Sequence, residues 1–206
     1  MTHRIARGVS LLALLLAPAL GSAQARGTRT ATSAGGSSAI GAPLGAYDYS
    51  FLLALDLPPG GFSVGPRLTG EIMYGYADVA PQARVDLGLR GSFAYHSADF
   101  DSSLWIFEVV PDAKLVFALS PQLAVYGDVG LGLALLHLSG VTVTTPFQTF
   151  TTDSDTTVAL AIQFGGGVAV AVAPNMNLLG EIRFDFYTRS GSSTFVALPT
   201  IGLQWH

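Results

Sequence analysis

The sequence predicts an all-β chain that closes into an eight-stranded antiparallel up-and-down transmembrane β-barrel, and three observations carry that prediction. Apolar and polar side chains alternate along eight segments of about twelve to seventeen residues, where strands of soluble proteins average roughly five or six. No segment places Asp, Glu, Lys or Arg on its apolar face. Half of the 206 residues are hydrophobic and only 12% are charged, against roughly 25% in soluble domains, which is too little charge to cover a soluble surface.

The alternation is clearest in Leu178-Leu179-Gly180-Glu181-Ile182-Arg183-Phe184-Asp185-Phe186-Tyr187, where Glu181, Arg183 and Asp185 interleave with Gly180, Ile182, Phe184 and Phe186. On a strand this separates charge from apolar surface, whereas helical spacing would scatter the three charges around the axis. Other function classes are excluded early. A net charge of -4 with no clustering of basic residues leaves no footprint for nucleic acid. The chain has no cysteine, so disulfides, thiolate metal sites and cysteine nucleophiles do not arise.

Arg4 and Arg7 precede an apolar run from Val9 to Leu20, followed by Ala23-Gln24-Ala25. This is the pattern of a secretory signal peptide cleaved after Ala25; the run, broken by Pro18, falls short of the roughly 20 residues of a membrane-spanning helix. Residues 26–45, rich in Gly, Ser, Thr and Ala, are expected to form a flexible linker, and residues 46–206 the barrel.

In the first strand Tyr47, Tyr49, Phe51, Leu53, Leu55 and Leu57 oppose Asp48, Ser50, Ala54 and Asp56, and Pro58 to Gly61 then turns the chain. In the second, Phe62, Val64, Leu68, Ile72, Tyr74 and Tyr76 oppose Arg67, Thr69 and Glu71; in the third, Val85, Leu87, Leu89, Phe93 and Tyr95 oppose Arg84, Asp86, Arg90, Ser92 and His96. The fourth carries Trp105, Phe107, Val109, Leu115 and Phe117 against Glu108, Asp112 and Lys114, and Pro111 on its apolar face predicts a bulge or kink. The fifth sets Leu123, Val125, Val129, Leu131, Leu133 and Leu135 against Tyr126, Asp128, Gly130 and Gly132. A threonine-rich stretch from Ser139 to Thr156 is expected to be the longest loop. The sixth strand runs from Val158 to Val172 with Gln163, Gly165 and Gly167 on its polar face; the seventh is the segment above, and the eighth sets Phe195, Ala197, Ile201, Leu203 and Trp205 against Thr194, Thr200 and Gln204.

Alternation alone does not decide whether the apolar face looks inward or outward, and a soluble ligand-binding barrel would invert the arrangement. The aromatic residues favour outward. With strands alternating in direction, Tyr47, Tyr49, Tyr74, Tyr76, Phe117 and Trp205 gather at one rim, and Phe62, Phe93, Tyr95, Trp105, Phe107, Phe184, Phe186 and Phe195 at the other, as girdles at two membrane interfaces do. The polar face then lines the lumen with Asp48, Asp56, Arg67, Glu71, Arg84, Asp86, Arg90, Glu108, Asp112, Lys114, Asp128, Glu181, Arg183 and Asp185. Eight strands leave room for little more than side chains, so a packed ion-pair interior is expected, with a narrow or gated conduit as the functional alternative.

On these residues the chain resembles the small eight-stranded outer-membrane barrels of Gram-negative bacteria, the OmpX, OmpW and OmpA-barrel type. The resemblance spans about Ala46 to Trp205. Thr200, Gly202 and Trp205 look like part of the C-terminal signal read by the barrel-assembly machinery, although His206 stands where such families usually end on an aromatic residue. It implies a monomer embedded in outer-membrane lipid, with no cofactor or metal and a structural, surface-interaction or slow solute-passage role. Two alternatives stay open: a soluble periplasmic ligand-binding barrel, and a hydrolase. His137-Leu138-Ser139 looks like the His-x-Ser core of outer-membrane lipid A deacylases, with His137 as base and Ser139 as nucleophile. Here Gly140 replaces the following asparagine of that family, and no acidic partner is matched. His96 with Asp99 and Asp101 is a weaker metal-ligand grouping. Phe147, Phe150 and the threonines around them would form an exposed lip for partner contact.

Overall fold

Ten strands form in the computed structural model, which describes residues 43–57, 63–97, 102–144, 148–189 and 192–206. The expected signal peptide, most of the expected linker, the expected turn from Pro58 to Gly61, Phe62, Asp99, Asp101 and Phe147 lie outside the described residues. The strands are β1 (Tyr47–Asp56), β2 (Gly65–Ala80), β3 (Ala83–Ser97), β4 (Ser103–Ser120), β5 (Leu123–Leu138), β6 (Val141–Thr144), β7 (Thr149–Thr152), β8 (Asp155–Ala173), β9 (Met176–Arg189) and β10 (Ser192–Trp205). Eight of them close a barrel in the order β1-β10-β9-β8-β5-β4-β3-β2, every neighbouring pair antiparallel.

The loop expected between Ser139 and Thr156 is instead structured: β6 and β7 pair as a separate two-stranded hairpin, Val141 opposite Thr152 through Thr144 opposite Thr149. Threonine and valine are both β-branched and favour a pleated backbone, and β6 alternates them, but over only 4 residues. The hairpin stands at the same end of the barrel as the β1–β2, β3–β4 and β9–β10 connections; the other end carries the short turns after Ala80, Ser120 and Ala173.

Register breaks collect at the short-turn end, between Gly75 and Ala77, Asp78 and Ala80, Ala118 and Ser120, and Ala171 and Ala173. Barrel rims are where bulges usually fall, because the extra residue adds twist as the chain turns back. No bulge marks Pro111. It pairs with Leu89 in an unbroken β3–β4 register, and on the β5 side the rows at Val110 and Pro111 simply drop out before the same register resumes at Asp112. Ser139 N donates to Ser103 O across this β4–β5 seam, so β4 residues of that parity, Pro111 among them, aim their backbone at β5. The missing N–H therefore removes a bond and leaves the register alone. Pro199 does the same where the barrel closes: β1 and β10 pair from Tyr49 opposite Trp205 to Ala54 opposite Thr200, then lapse around Pro199 until Leu57 N donates to Ala197 O at 3.2 Å.

The inside and outside are the reverse of a soluble protein. Val129, Leu131 and Val158 on the outer face are 61%, 57% and 62% exposed, while Asp56, His96 and Asp185 inside are at 0%. Ten strand residues tilted at about 40° already span the roughly 25 Å apolar band of an outer membrane, and the barrel strands have 10 to 19. Placing arginine at Leu131, near the middle of β5, should therefore cost about 2–4 kcal/mol of unfolding free energy in lipid, read from denaturant unfolding in vesicles. A soluble barrel would absorb the change within about 0.5 kcal/mol, as surface substitutions generally do.

Candidate functional site: the charged lumen

The site is the barrel interior, and strand alternation builds it: every second residue of each long strand points inward. Nine buried carboxylates, Asp48, Asp56, Glu71, Asp86, Glu108, Asp112, Asp128, Glu181 and Asp185, share this space with five buried cations, Arg67, Arg84, Arg90, Lys114 and Arg183. They sort into layers along the barrel axis.

The layer nearer the β6–β7 end is centred on Arg67. Its guanidinium meets Asp56 at 2.8 Å, Glu108 at 2.7 Å and Asp185 at 2.9 Å, and donates to Tyr187 Oη at 2.7 Å and Ser92 Oγ at 3.3 Å. One side chain on β2 thereby reaches β1, β3, β4 and β9. Glu108 also accepts from Tyr187 Oη, from Ser92 Oγ at 2.8 Å and from Gln163 Nε2 at 2.7 Å. His96 closes the top, its Nε2 3.0 Å from Asp56 Oδ2 and its Nδ1 3.0 Å from the Ser63 carbonyl oxygen.

The next layer is centred on Arg90, whose Nη2 lies 2.7 Å from Glu71, 2.8 Å from Asp112 and 2.6 Å from Asp128. Lys114 Nζ donates to Glu71 Oε2 at 2.7 Å and sits 4.9 Å above the Tyr126 ring. Tyr126 Oη donates to Glu181 Oε2 at 3.0 Å, and Glu181 also pairs with Arg183. Gly167 makes room for this tyrosine, since a Cβ there would stand 2.8 Å from Tyr126 Oη. Gln163 links the layers, accepting from Arg90 at 3.4 Å while donating to Glu108. Toward the short turns Arg84 pairs with Asp86 at 2.6 Å and Asp48 at 3.4 Å, and Asn177 donates to Gln204 at 3.0 Å. Apolar side chains fill the rest: Ile106, Val110, Val196 and Leu198 beside the first layer, Leu52, Val116 and Leu179 beside the second.

Tyr187 and Ser92 join the charge network and share the parity of the charges on their strands, the sequence signal that finds them, whereas Gln163 stands on β8, which brings no charge to the lumen, and is marked only by its place on that strand's polar face. The sequence spacing groups His96 with Asp99 and Asp101, which lie outside the described residues; the structure pairs it with Asp56.

Outside, the aromatic residues form contacting groups. Tyr47 and Tyr74 meet at 5.2 Å near the short turns, where Tyr49, Tyr76, Phe117 and Trp205 are also exposed. Toward the other end Trp105 touches Phe93 at 5.4 Å and Tyr95 at 5.0 Å, with Phe107 exposed nearby; Phe184, Phe186 and Phe195 group together with Phe164, an addition to the girdle expected from sequence. In β10 Thr200 points inward and donates to Leu198 O at 3.1 Å, Gly202 pairs with Leu52, and Trp205 faces outward opposite Tyr49.

His137 and Ser139 are not brought together as base and nucleophile. His137 Nδ1 lies 2.7 Å from Thr156 Oγ1 on β8. Ser139 Oγ accepts from Ser103 N at 2.7 Å and from Ser103 Oγ at 3.2 Å, and that second hydroxyl accepts from Trp105 Nε1 at 3.1 Å. Both side chains tie the tops of strands to their neighbours.

A closed antiparallel barrel with an apolar exterior and a charged, filled interior defines the class: a transmembrane β-barrel. The family model described as the outer membrane protein beta-barrel domain matches residues 10–194, and the chain belongs to that family. Membership places the barrel in the outer membrane of a Gram-negative cell. Among solved structures it is similar to a major outer membrane protein of Thermus thermophilus, with 16% identity over 78% of this chain and 99% of that one and a TM-score of 0.51. It is also similar to the attachment invasion locus protein Ail of Yersinia pestis (15% identity, 77% and 95% covered, TM-score 0.45) and to the outer membrane enzyme PagL (11%, 77% and 99%, TM-score 0.49). At such identities the likeness is one of fold. No curated protein matches the chain.

Replacing Arg67 with methionine would leave Asp56, Glu108 and Asp185 facing one another without their shared cation. The expected loss is about 3–5 kcal/mol of unfolding free energy. Adding Glu108→Gln, which removes one of those charges, should recover part of it, so that a double-mutant cycle by denaturant unfolding gives a non-additive coupling.

Proposed function

We propose that this protein is a non-enzymatic outer-membrane barrel with a closed lumen, acting in envelope structure and in contact with partners at the cell surface through its β6–β7 end. The observation that carries the reading is Arg67. A guanidinium bonded at once to β1, β3, β4 and β9 lies across the interior and occupies the space that a solute would need. Bonds of this kind, buried and charge-assisted, are among the stronger ones a protein makes, and parting several together to open a conduit would cost far more than a rotamer change.

The hairpin supports the surface part of the reading. It is the one connection among the described residues with paired strands of its own, and Phe150 on it is 55% exposed; loops held on a rigid scaffold are the usual carriers of binding. Export through the secretory pathway with cleavage after Ala25, insertion by the barrel-assembly machinery, and residence as a monomer in lipid complete the proposal.

The separate anchoring of His137 and Ser139 argues against a hydrolytic role, because a serine nucleophile needs its base within hydrogen-bond reach and that base oriented by a third group. Reconstituted into a planar bilayer, the intact barrel should show no steady ohmic conductance. A sustained unitary conductance that disappears when Arg67 or Glu108 is changed would instead make the lumen a conduit.

A further inference from the structure

We propose that the Arg90 layer of the lumen binds one small monovalent cation, of the size and hardness of sodium, on the carboxylates of Asp112 and Asp128. The first argument is charge. Glu71, Asp112, Asp128 and Glu181 face Arg90, Lys114 and Arg183, all no more than 6% exposed, so this layer carries one carboxylate more than it has cations. An uncompensated charge in such an interior is costly, so a surplus carboxylate takes up a proton or a counter-ion. The other layers carry surpluses too, but each of their carboxylates accepts at least one hydrogen bond, which Asp112 does not.

The second argument is where that charge falls. Both Glu71 oxygens are taken, Oε1 by Arg90 and Oε2 by Lys114, each at 2.7 Å. Both Glu181 oxygens are taken, by Arg183 and Tyr126. Asp128 receives a hydrogen bond on Oδ2 from Arg90, while its Oδ1 is buried without a partner. Asp112 accepts no hydrogen bond on either oxygen: its Oδ2 is 2.8 Å from Arg90 Nη2 but out of line with the N–H, and its Oδ1 is buried without a hydrogen-bond partner. Two acceptor-only groups are thus left with hydrogen-bonding capacity unused, each at its Oδ1.

The third argument is space and reach. Gly130 lies opposite Asp112 and Gly165 opposite Asp128 in the strand registers. A Cβ at Gly165 would stand 2.9 Å from Asp128 Oδ1, so this glycine keeps a side chain off that oxygen, while Gly130, where a Cβ would stand 3.5 Å from Asp112 Oδ1, chiefly makes room for Val110. Glu71, Asp112 and Asp128 each bring one oxygen to within 4.8 Å of the others; since each also holds an oxygen on Arg90 Nη2, the ligand atoms left for an ion are Asp112 Oδ1 and Asp128 Oδ1. The donors are all oxygens, which suits a hard cation rather than zinc. A single surplus carboxylate is balanced by a single charge.

This inference does not depend on whether the lumen conducts. It is tested by thermal unfolding of the intact barrel in neutral detergent at constant ionic strength, with lithium, sodium, potassium, caesium or N-methyl-D-glucamine as the only added cation. The expected result is a size-dependent Tm, highest in sodium, rising by about 4 °C as sodium reaches ten times its Kd. Asp112→Asn should abolish the sodium dependence, while Asp155→Asn, on the exposed start of β8, should keep it. Equal Tm values in sodium and in N-methyl-D-glucamine for the wild-type barrel would overturn the proposal, and that comparison needs no variant to fold. A response of the same size to every alkali cation would also overturn it, as general screening.

Discussion

In lipid no water is available to a stray backbone N–H or C=O, so a chain of strands must close on itself or not cross at all. The β1–β10 seam is therefore the contact on which the rest of this barrel depends, and it is also its shortest: six continuous rows, against sixteen between β5 and β8. Pro199 explains part of the difference, because the row it would complete with β1 has no donor. The protein accepts that local loss at two places, Pro111 and Pro199, and in neither does the register shift. The departures in register stand instead at the short-turn rim.

Closure with an apolar exterior forces the polar half of every strand into one narrow space. Salt bridges buried in this way add little net stability once their desolvation is counted, whereas breaking one is expensive. Arg67 and Arg90 fit that description, since each pairs with three carboxylates contributed by other strands. The network fixes which strands are neighbours across the lumen as well as around the wall, and in doing so fills the bore. The same crowding of acidic groups leaves the Asp112 and Asp128 oxygens incompletely bonded.

Much of the fold is legible in the sequence because a strand has a period of two. Glu181, Arg183 and Asp185 share a face whatever the rest of the chain does, and an exterior of Leu, Val and Ile with aromatic rims follows from the complementary face. Partners across the lumen are not legible. Arg67 and Asp185 are 118 residues apart and meet only because strand tilt and stagger bring those two levels together. The β6–β7 hairpin escaped for a different reason: its strands are 4 residues each, too short for an alternation such as Val141-Thr142-Val143-Thr144 to stand out from the threonine-rich stretch around it. His96 invited a local grouping with Asp99 and Asp101, while its partner Asp56 comes from another strand. Pro111 invited a bulge because proline is excluded from interior ladders, yet on an outward position beside one partner strand it costs a hydrogen bond and no displacement.

The central claim is that the apolar face meets lipid and the charged face does not. The chain's two tryptophans report on it directly, because Trp105 and Trp205 stand on the outer face near opposite ends of the barrel. In vesicles, fluorescence of the single-tryptophan variants Trp105→Phe and Trp205→Phe would be quenched by spin labels carried on the lipid, at the headgroup or at the end of the acyl chain. Both remaining tryptophans should be quenched strongly, and more by the headgroup label than by the chain-end label. Quenching by aqueous iodide with no effect from either lipid-borne label would contradict the account and return the chain to the soluble barrels.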